Sequence, residues 1–81
     1  KVLMLDDPTA GVSPMVMDEL LDKIIEIAKT GVAILMVEQN ARQALSIADK
    51  GFVMVQGENK YTDTGQKLLA NEEVRKAFLG G

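Results

Sequence analysis

The chain has 81 residues, of which 47% are hydrophobic and 26% charged, and its formal net charge is −3. A chain of this length forms at most one small domain and buries little more than about 60% of the surface that its unfolded form exposes, so we expect marginal or partner-assisted stability. The apolar content argues against disorder, and net negative charge with one tyrosine, two phenylalanines and no tryptophan disfavours nucleic-acid binding.

Histidine and cysteine are both absent from the sequence. Disulfides, thiolate zinc sites and mechanisms that need an imidazole or a thiol are therefore excluded, and carboxylates are the obvious metal ligands. A bound metal would be a hard cation such as magnesium. No apolar run approaches the roughly 20 residues of a membrane span, and the N-terminus lacks a signal segment, so the chain is predicted to be cytosolic.

The first half of the sequence predicts a βαβ unit. Residues 2–5 are a short apolar run, typical of a parallel strand buried on both faces, and residues 32–37 are a second such run. Between them, Ser13 is a predicted N-cap and Pro14 suits the first helical position. Apolar residues follow at helical spacing, and Gly31 is positioned to end the helix as a C-cap glycine.

Shorter elements are predicted in the second half. Asn40 is a plausible N-cap for a short helix through Ala48. Residues 52–56 and 60–64 are predicted to form a β-hairpin around a turn at residues 57–59.

The sequence ends in a predicted helix that Asn71 would cap. Glu72 and Glu73 stand in its first turn and Arg75 and Lys76 follow, which suits the helix dipole. The predicted fold class is therefore α/β, with a βαβ unit, a short helix, a β-hairpin and a C-terminal helix.

Acidic and amide side chains follow both predicted parallel strands. In open α/β sheets, ligands bind beyond the carboxyl ends of the strands, so Asp6-Asp7 and Glu38-Gln39 should converge. With a chain turn at Pro8, one Asp carboxylate could hold magnesium and the other could accept a proton from an attacking water. The alternative is that acidic residues before a proline merely begin a turn.

Residues 2–9, Val-Leu-Met-Leu-Asp-Asp-Pro-Thr, resemble the Walker B strand of ABC-transporter ATPases. Residues 10–13 lie where that family has its D-loop, and residues 34–40 lie where a strand leads into its switch region. Residues 43–51, 62–65 and 78–81 are similar to the branched-chain amino-acid transporter ATPases. The resemblance covers essentially the whole chain and implies part of a P-loop NTPase-type sheet, with ATP and Mg²⁺ as cofactors of the complete domain.

Site roles follow from this resemblance. Asp6 matches the aspartate that supports the magnesium ion, Asp7 matches the catalytic glutamate, and Gln39 matches the switch position. The resemblance also assigns the D-loop positions to nucleotide binding, namely Ala10, Gly11, Val12 and Ser13.

This chain departs from the family at three positions. Asp7 is one methylene shorter than glutamate, so its carboxylate would lie about 1 Å back, and misplacement on that scale can cost about 100-fold in rate. Gln39 stands where histidine is usual and can donate and accept hydrogen bonds but cannot take a proton. Ser13 stands where most D-loops have Asp, which weakens the expected contact across an ATPase dimer.

The motif G-x-x-x-x-G-K-[S/T], which cradles nucleotide phosphates, does not occur, nor does Leu-Ser-Gly-Gly-Gln. In the family both motifs would precede the position of Lys1. The resemblance therefore implies that residues 1–81 are the C-terminal portion of an ABC ATPase nucleotide-binding domain, and that this portion does not hydrolyse ATP alone. The implied partners are the N-terminal half of the domain, a second ATPase subunit and the membrane subunits, at the inner face of the cell membrane.

Two other classes remain open. One is a receiver-type domain that binds magnesium and accepts a phosphoryl group, although Asp49 is predicted to close a helix where such a fold needs an Asp at a strand end. The other is a non-catalytic module that covers its exposed sheet edge with a second copy. Unpaired edges promote such pairing, and Met4, Met15, Met17 and Met36 could repack against a partner or simply belong to the core.

Overall fold

A computed structural model describes residues 1–80, which divide into two compact units, residues 1–40 (unit 1) and the residues from Ala41 on (unit 2). Unit 1 consists of β1 (Val2–Asp6), α1 (Pro14–Lys29) and β2 (Ala33–Val37). Strands β1 and β2 pair in parallel, in a register that runs from Val2 opposite Ala33 to Asp6 opposite Val37. The predicted βαβ unit is therefore confirmed.

Helix α1 begins and ends at the residues that the sequence predicts. The Ser13 hydroxyl accepts a hydrogen bond from the Val16 N–H at 3.3 Å, which satisfies one of the amides that a helix N-terminus leaves free. Gly31 has a φ of +96° and its N–H donates to the Ala28 carbonyl, so the chain leaves the helix in a left-handed conformation that suits glycine. Leu21 and Ile24 are the buried positions of this helix.

The two parallel strands are buried on one face only, and the prediction of burial on both faces was wrong. Side chains alternate between half-buried and exposed positions along each strand. A single crossover helix can cover only one face of a sheet, so the opposite face of unit 1 stays apolar and exposed. The large apolar residues of that face are Val2, Met4, Leu35 and Val37.

Unit 2 contains α2 (Ala41–Ile47), β3 (Gly51–Val55), β4 (Glu58–Asp63), α3 (Gly65–Ala70) and α4 (Glu72–Phe78). The antiparallel pairing of β3 with β4 confirms the predicted hairpin, with an irregularity in register between Val53 and Met54.

The hairpin turn lies one residue earlier than predicted. It is formed by Gln56 and Gly57, with φ of +50° and +79°, whereas the prediction placed it at residues 57–59. Two-residue hairpin turns of this kind need positive φ at both central positions because that twist matches the strands. The second strand accordingly starts at Glu58.

Helix α3 was not predicted. Its N-cap is Thr64, whose hydroxyl accepts from the Lys67 N–H at 3.1 Å. The sequence prediction places Thr64 in the second strand of the hairpin instead. Asn71 closes α3 and caps α4 as predicted, since its side-chain oxygen accepts from the Val74 N–H at 3.1 Å.

The core of unit 2 is formed by Leu45, Leu68 and Val74, with partly buried apolar residues packed around it. At its border, the Tyr61 hydroxyl donates to a Glu73 carboxylate oxygen at 2.8 Å. This hydrogen bond to a negative acceptor favours the protonated phenol and raises the pKa of Tyr61 above its ordinary value.

Candidate functional site

The chain turns sharply where β1 ends. Asp7 has a φ of +52°, a left-handed conformation that Asp tolerates better than most residues, and its N–H donates to the Val37 carbonyl at 2.6 Å. The Ala10 N–H then donates to the Asp7 carbonyl at 3.1 Å, with Pro8 inside the turn. The turn therefore starts at Asp7, one residue before the predicted Pro8. Asp7 itself stays beside the end of β2 through its hydrogen bond to Val37.

Side chains join the loop after β1 to the loop after β2. The Asp7 Oδ1 atom accepts from the Gln39 N–H at 3.1 Å, and the Glu38 Oε2 atom accepts from the Thr9 N–H at 3.2 Å. The other Glu38 oxygen, Oε1, accepts from the Asn40 N–H at 3.2 Å, and the Asn40 amide Nδ2 donates to the Thr9 hydroxyl at 2.7 Å. Three of these hydrogen bonds join the two loops at the carboxyl edge of the sheet, and the fourth, from the Asn40 N–H to Glu38, lies within the loop after β2.

Glu38 is half-buried within this hydrogen-bond network. Burial by itself raises the pKa of its carboxyl, but the hydrogen bonds that it accepts from Thr9 and from the Asn40 backbone outweigh burial and lower the pKa below its ordinary value. Glu38 is therefore a carboxylate at neutral pH, the form in which both oxygens accept hydrogen bonds.

Asp6 differs from Asp7 in its surroundings. It is the last residue of β1, opposite Val37, and it is exposed beside the apolar sheet face. Within residues 1–80, no three Asp, Glu, His or Cys side chains are grouped closely enough to hold a metal ion. An exposed carboxylate fits a hard cation such as Mg²⁺, so Asp6 could supply one oxygen ligand or hold one water of the ion, with the other ligands provided elsewhere.

The D-loop positions form the end of the turn and the start of α1. Gly11 has a φ of +72° between the Thr9 carbonyl and the Val12 N–H, which are hydrogen-bonded at 3.3 Å, so the turn requires a residue that accepts positive φ. Ala10 and Gly11 are exposed, whereas Ser13 uses its hydroxyl oxygen to cap α1. The cap role of Ser13 is confirmed, and nucleotide contacts at these positions stay a prediction.

The structure brings together three of the four residues that were expected to converge. Asp7 accepts a hydrogen bond from the Gln39 N–H, Glu38 joins the same two loops through Thr9 and Asn40, and Asp6 precedes Asp7 on the exposed face. Thr9 was not predicted from the sequence as a site residue. Thr9 is 1% exposed in the structure, and the one hint of its role in the sequence is that a polar residue stands inside the Asp-Asp-Pro-Thr motif.

Asn40 was predicted as a helix N-cap, and that prediction was wrong. Its side-chain amide donates to Thr9, and α2 begins at Ala41 with no side-chain cap from the residue before it. A capping Asn accepts through its side-chain oxygen, whereas here the side chain is oriented by its amide nitrogen, which donates to the buried Thr9 hydroxyl.

Comparison with known proteins gives matches along the whole chain. It is 42% identical over 81 residues to the high-affinity branched-chain amino acid transport ATP-binding protein BraG of Pseudomonas aeruginosa, covering 100% of this chain and 35% of BraG. It is 38% identical over 80 residues to the probable branched-chain amino acid transport ATP-binding protein LivF of Archaeoglobus fulgidus, covering 98% of this chain and 34% of LivF. The chain therefore spans about a third of the length of the curated relatives it matches.

A solved structure supports the same relationship. The structure of cbiO1 from Clostridium perfringens, part of the ABC transporter complex cbiONQ, matches with a TM-score of 0.81 and 33% sequence identity, over 98% of this chain and 32% of that one. No protein-family model matches the chain.

Fold and sequence together identify the chain as a relative of the ABC-transporter ATP-binding proteins, with the α/β architecture of part of their P-loop fold. Within that class, it is related to the branched-chain amino acid transport ATP-binding proteins.

Proposed function

We propose that the chain is the C-terminal portion of the ATP-hydrolysing domain of a branched-chain amino-acid ABC importer. In this proposal, Asp6 supports the Mg²⁺ ion bound to ATP, Asp7 accepts a proton from the attacking water, and Gln39 holds that water or the γ-phosphate. Bound Mg²⁺ would neutralise charge on the phosphates, and the phosphate-binding loop would come from an N-terminal half of the domain.

The observation that carries the proposal is the contact between Asp7 and Gln39. The two residues that match the catalytic carboxylate and the switch are 32 positions apart in sequence, yet the Gln39 N–H donates to Asp7 Oδ1 at 3.1 Å. Asp6, with its exposed carboxylate, directly precedes Asp7. This arrangement suits water activation next to a metal-bound phosphate.

The proposal includes three partners and a location. The domain would be completed by its N-terminal half, pair with a second ATPase subunit and dock on the membrane subunits of the importer at the cytoplasmic face of the membrane. No helix within residues 1–80 combines the length and hydrophobicity of a membrane span.

A chimera tests the proposal. BraG in which the matching segment is replaced by this chain should release phosphate from MgATP, and BraG lacking that segment should not. In the chimera, Asp6→Asn should lower the rate at limiting Mg²⁺ by about tenfold, because a residue that orients a bound metal typically contributes that much to metal affinity.

The matched control is Asp18→Asn on α1, an exposed aspartate outside the site, which should leave the rate within twofold. A folded chimera that binds ATP without hydrolysing it, or an Asp6→Asn rate equal to that of Asp18→Asn, would contradict the proposal.

A second candidate function is self-association, which the exposed sheet face favours. Val2, Met4, Leu35 and Val37 are 66%, 72%, 53% and 62% exposed on one face of a two-stranded sheet whose outer edges are unpaired within unit 1. Contiguous apolar surface and open strand edges both promote pairing with another copy.

The receiver class is disfavoured because Asp49 follows α2 and does not end a strand.

Self-association predicts that the sedimentation coefficient of the isolated chain rises with concentration. Met4→Lys combined with Leu35→Lys should weaken association by at least about tenfold, because it places like charges opposite each other across the interface. Met15→Lys on α1, at a residue that is 75% exposed and outside this face, is the control and should not change association. A monomer at every accessible concentration would exclude this function.

A further inference from the structure

We infer that Glu38 is a positioning residue that holds the two candidate catalytic groups, Asp7 and Gln39, in place. This inference rests on the proposed function, since it assigns Glu38 a role in the same site. The resemblance to ABC ATPases assigns Glu38 no role.

The geometry of the Glu38 carboxylate carries the inference. Its oxygens are shared between two loops, with Oε2 accepting from the Thr9 N–H and Oε1 from the Asn40 N–H, each at 3.2 Å. One carboxylate therefore links the loop that contains Asp7 to the loop that contains Gln39. A side chain that served only its own turn would need the Asn40 contact alone.

Thr9 anchors the other end of this link. Its side chain is 1% exposed, and its hydroxyl accepts from the Asn40 amide at 2.7 Å, so Thr9 is tied to both residues that flank Gln39. Within residues 1–80 no buried side-chain nitrogen or oxygen lacks a hydrogen-bond partner, and a fully satisfied network of this kind holds its members rigidly.

The link determines where the Gln39 backbone lies. Because Glu38 and Asn40 are both held on Thr9, the Gln39 N–H points at Asp7 Oδ1, at 3.1 Å, while the Gln39 side chain stays exposed. Asp7 is in a left-handed conformation that depends on its surroundings. Loss of the Glu38 link would free both groups, and small displacements of reacting groups cost large factors in rate.

The test uses the active BraG chimera, in which wild-type activity is measured first. Glu38→Gln replaces one acceptor oxygen by an amide donor that faces a backbone N–H, so one half of the link is lost. The expected result is a kcat about tenfold lower with the KM for ATP changed less than twofold, whereas Glu26→Gln, an exposed glutamate on α1, changes neither.

A double-mutant cycle with Asp7→Asn separates positioning from general destabilisation. If Glu38 positions Asp7 as well as Gln39, Glu38→Gln lowers kcat about tenfold in the wild type and by a clearly smaller factor in the Asp7→Asn background, where only its effect on Gln39 remains. A loss of equal factor in both backgrounds, or an unchanged kcat with a lower unfolding temperature, would overturn the inference.

A second variant covers the case in which Glu38→Gln does not fold. Thr9→Val keeps the branched shape of the buried side chain but removes its hydroxyl, which accepts from Asn40 and hydrogen-bonds to the Glu38 carboxylate, so it should also lower kcat with little change in KM. An unchanged kcat in folded Thr9→Val would then overturn the inference. An inactive wild-type chimera would instead count against the proposed function, so the two failures are distinguishable.

Discussion

Gly65→Ala is expected to lower the free energy of unfolding of unit 2 by about 3 kcal/mol, the upper end of the usual cost of forcing an extra methyl group into a packed site. A Cβ atom on Gly65 would collide with the carbonyl oxygens of Leu45 and Ala48, which belong to the backbone at the end of α2 and cannot rotate away. A chain of this size is marginally stable, so this loss should leave much of unit 2 unfolded at 25 °C. Urea unfolding followed by the fluorescence of Tyr61, the one tyrosine of the chain, measures it.

Gly51→Ala is the matched control for this prediction. A Cβ atom at Gly51 would lie 2.7 Å from Leu68 Cδ1 and 2.8 Å from Leu45 Cδ2, which are the far ends of flexible side chains. These leucines can change rotamer at modest cost, so Gly51→Ala should destabilise unit 2 clearly less than Gly65→Ala. Equal losses, or a larger loss at Gly51, would mean that the α2 backbone yields and that Gly65 is not held as tightly against Leu45 and Ala48 as described.

Asp7→Glu in the BraG chimera is expected to raise kcat for ATP hydrolysis by up to about 100-fold, with little change in ATP affinity. Asp7 Oδ1 already accepts the Gln39 N–H at 3.1 Å, which holds the carboxylate close to β2, and the side chain is one methylene shorter than the glutamate of the family. The longer side chain should reach the attacking water without losing its place beside β2. Phosphate release and ATP titration measure the two quantities separately.

Asp7→Asn is the control for charge as opposed to length. Asn keeps an oxygen for the Gln39 N–H and tolerates the φ of +52° observed at this position, but it cannot accept a proton. Hydrolysis should therefore fall below that of the wild type while ATP binding is retained. Equal rates for Asp and Glu at position 7 would refute the role assigned to this carboxylate.

Several elements could be predicted from the sequence because their determinants are local. Ser13 and Asn71 cap helices through backbone N–H groups three residues further along, and Gly31 ends α1 through its own φ. Helix α3 was missed because its six residues contain too few apolar positions to show a helical period, so only the Thr64 cap marks it. The hairpin turn was misplaced because Gln56 is an unusual residue at positive φ.

The candidate site could be predicted in outline. That Asp7 and Gln39 should meet follows from two parallel strands ending in polar residues. The role of Thr9 and the second partner of Glu38 could not be predicted, since each depends on the register that sets Asp6 opposite Val37. The Asn40 side chain has two possible partners in sequence, its own helix and the distant threonine, and composition does not decide between them.

The sequence by itself determined the parallel βαβ unit, the ends of α1 and the acidic pair at the sheet edge, because apolar runs, capping residues and glycine act over a few neighbouring positions. Only the tertiary structure decided which face of the sheet stays exposed and how Glu38 joins the two loops. Both depend on contacts between residues about 30 positions apart, such as the hydrogen bond from Thr9 to Glu38 across 29 positions. Such contacts arise from strand register and helix coverage, and local preference carries no information on either.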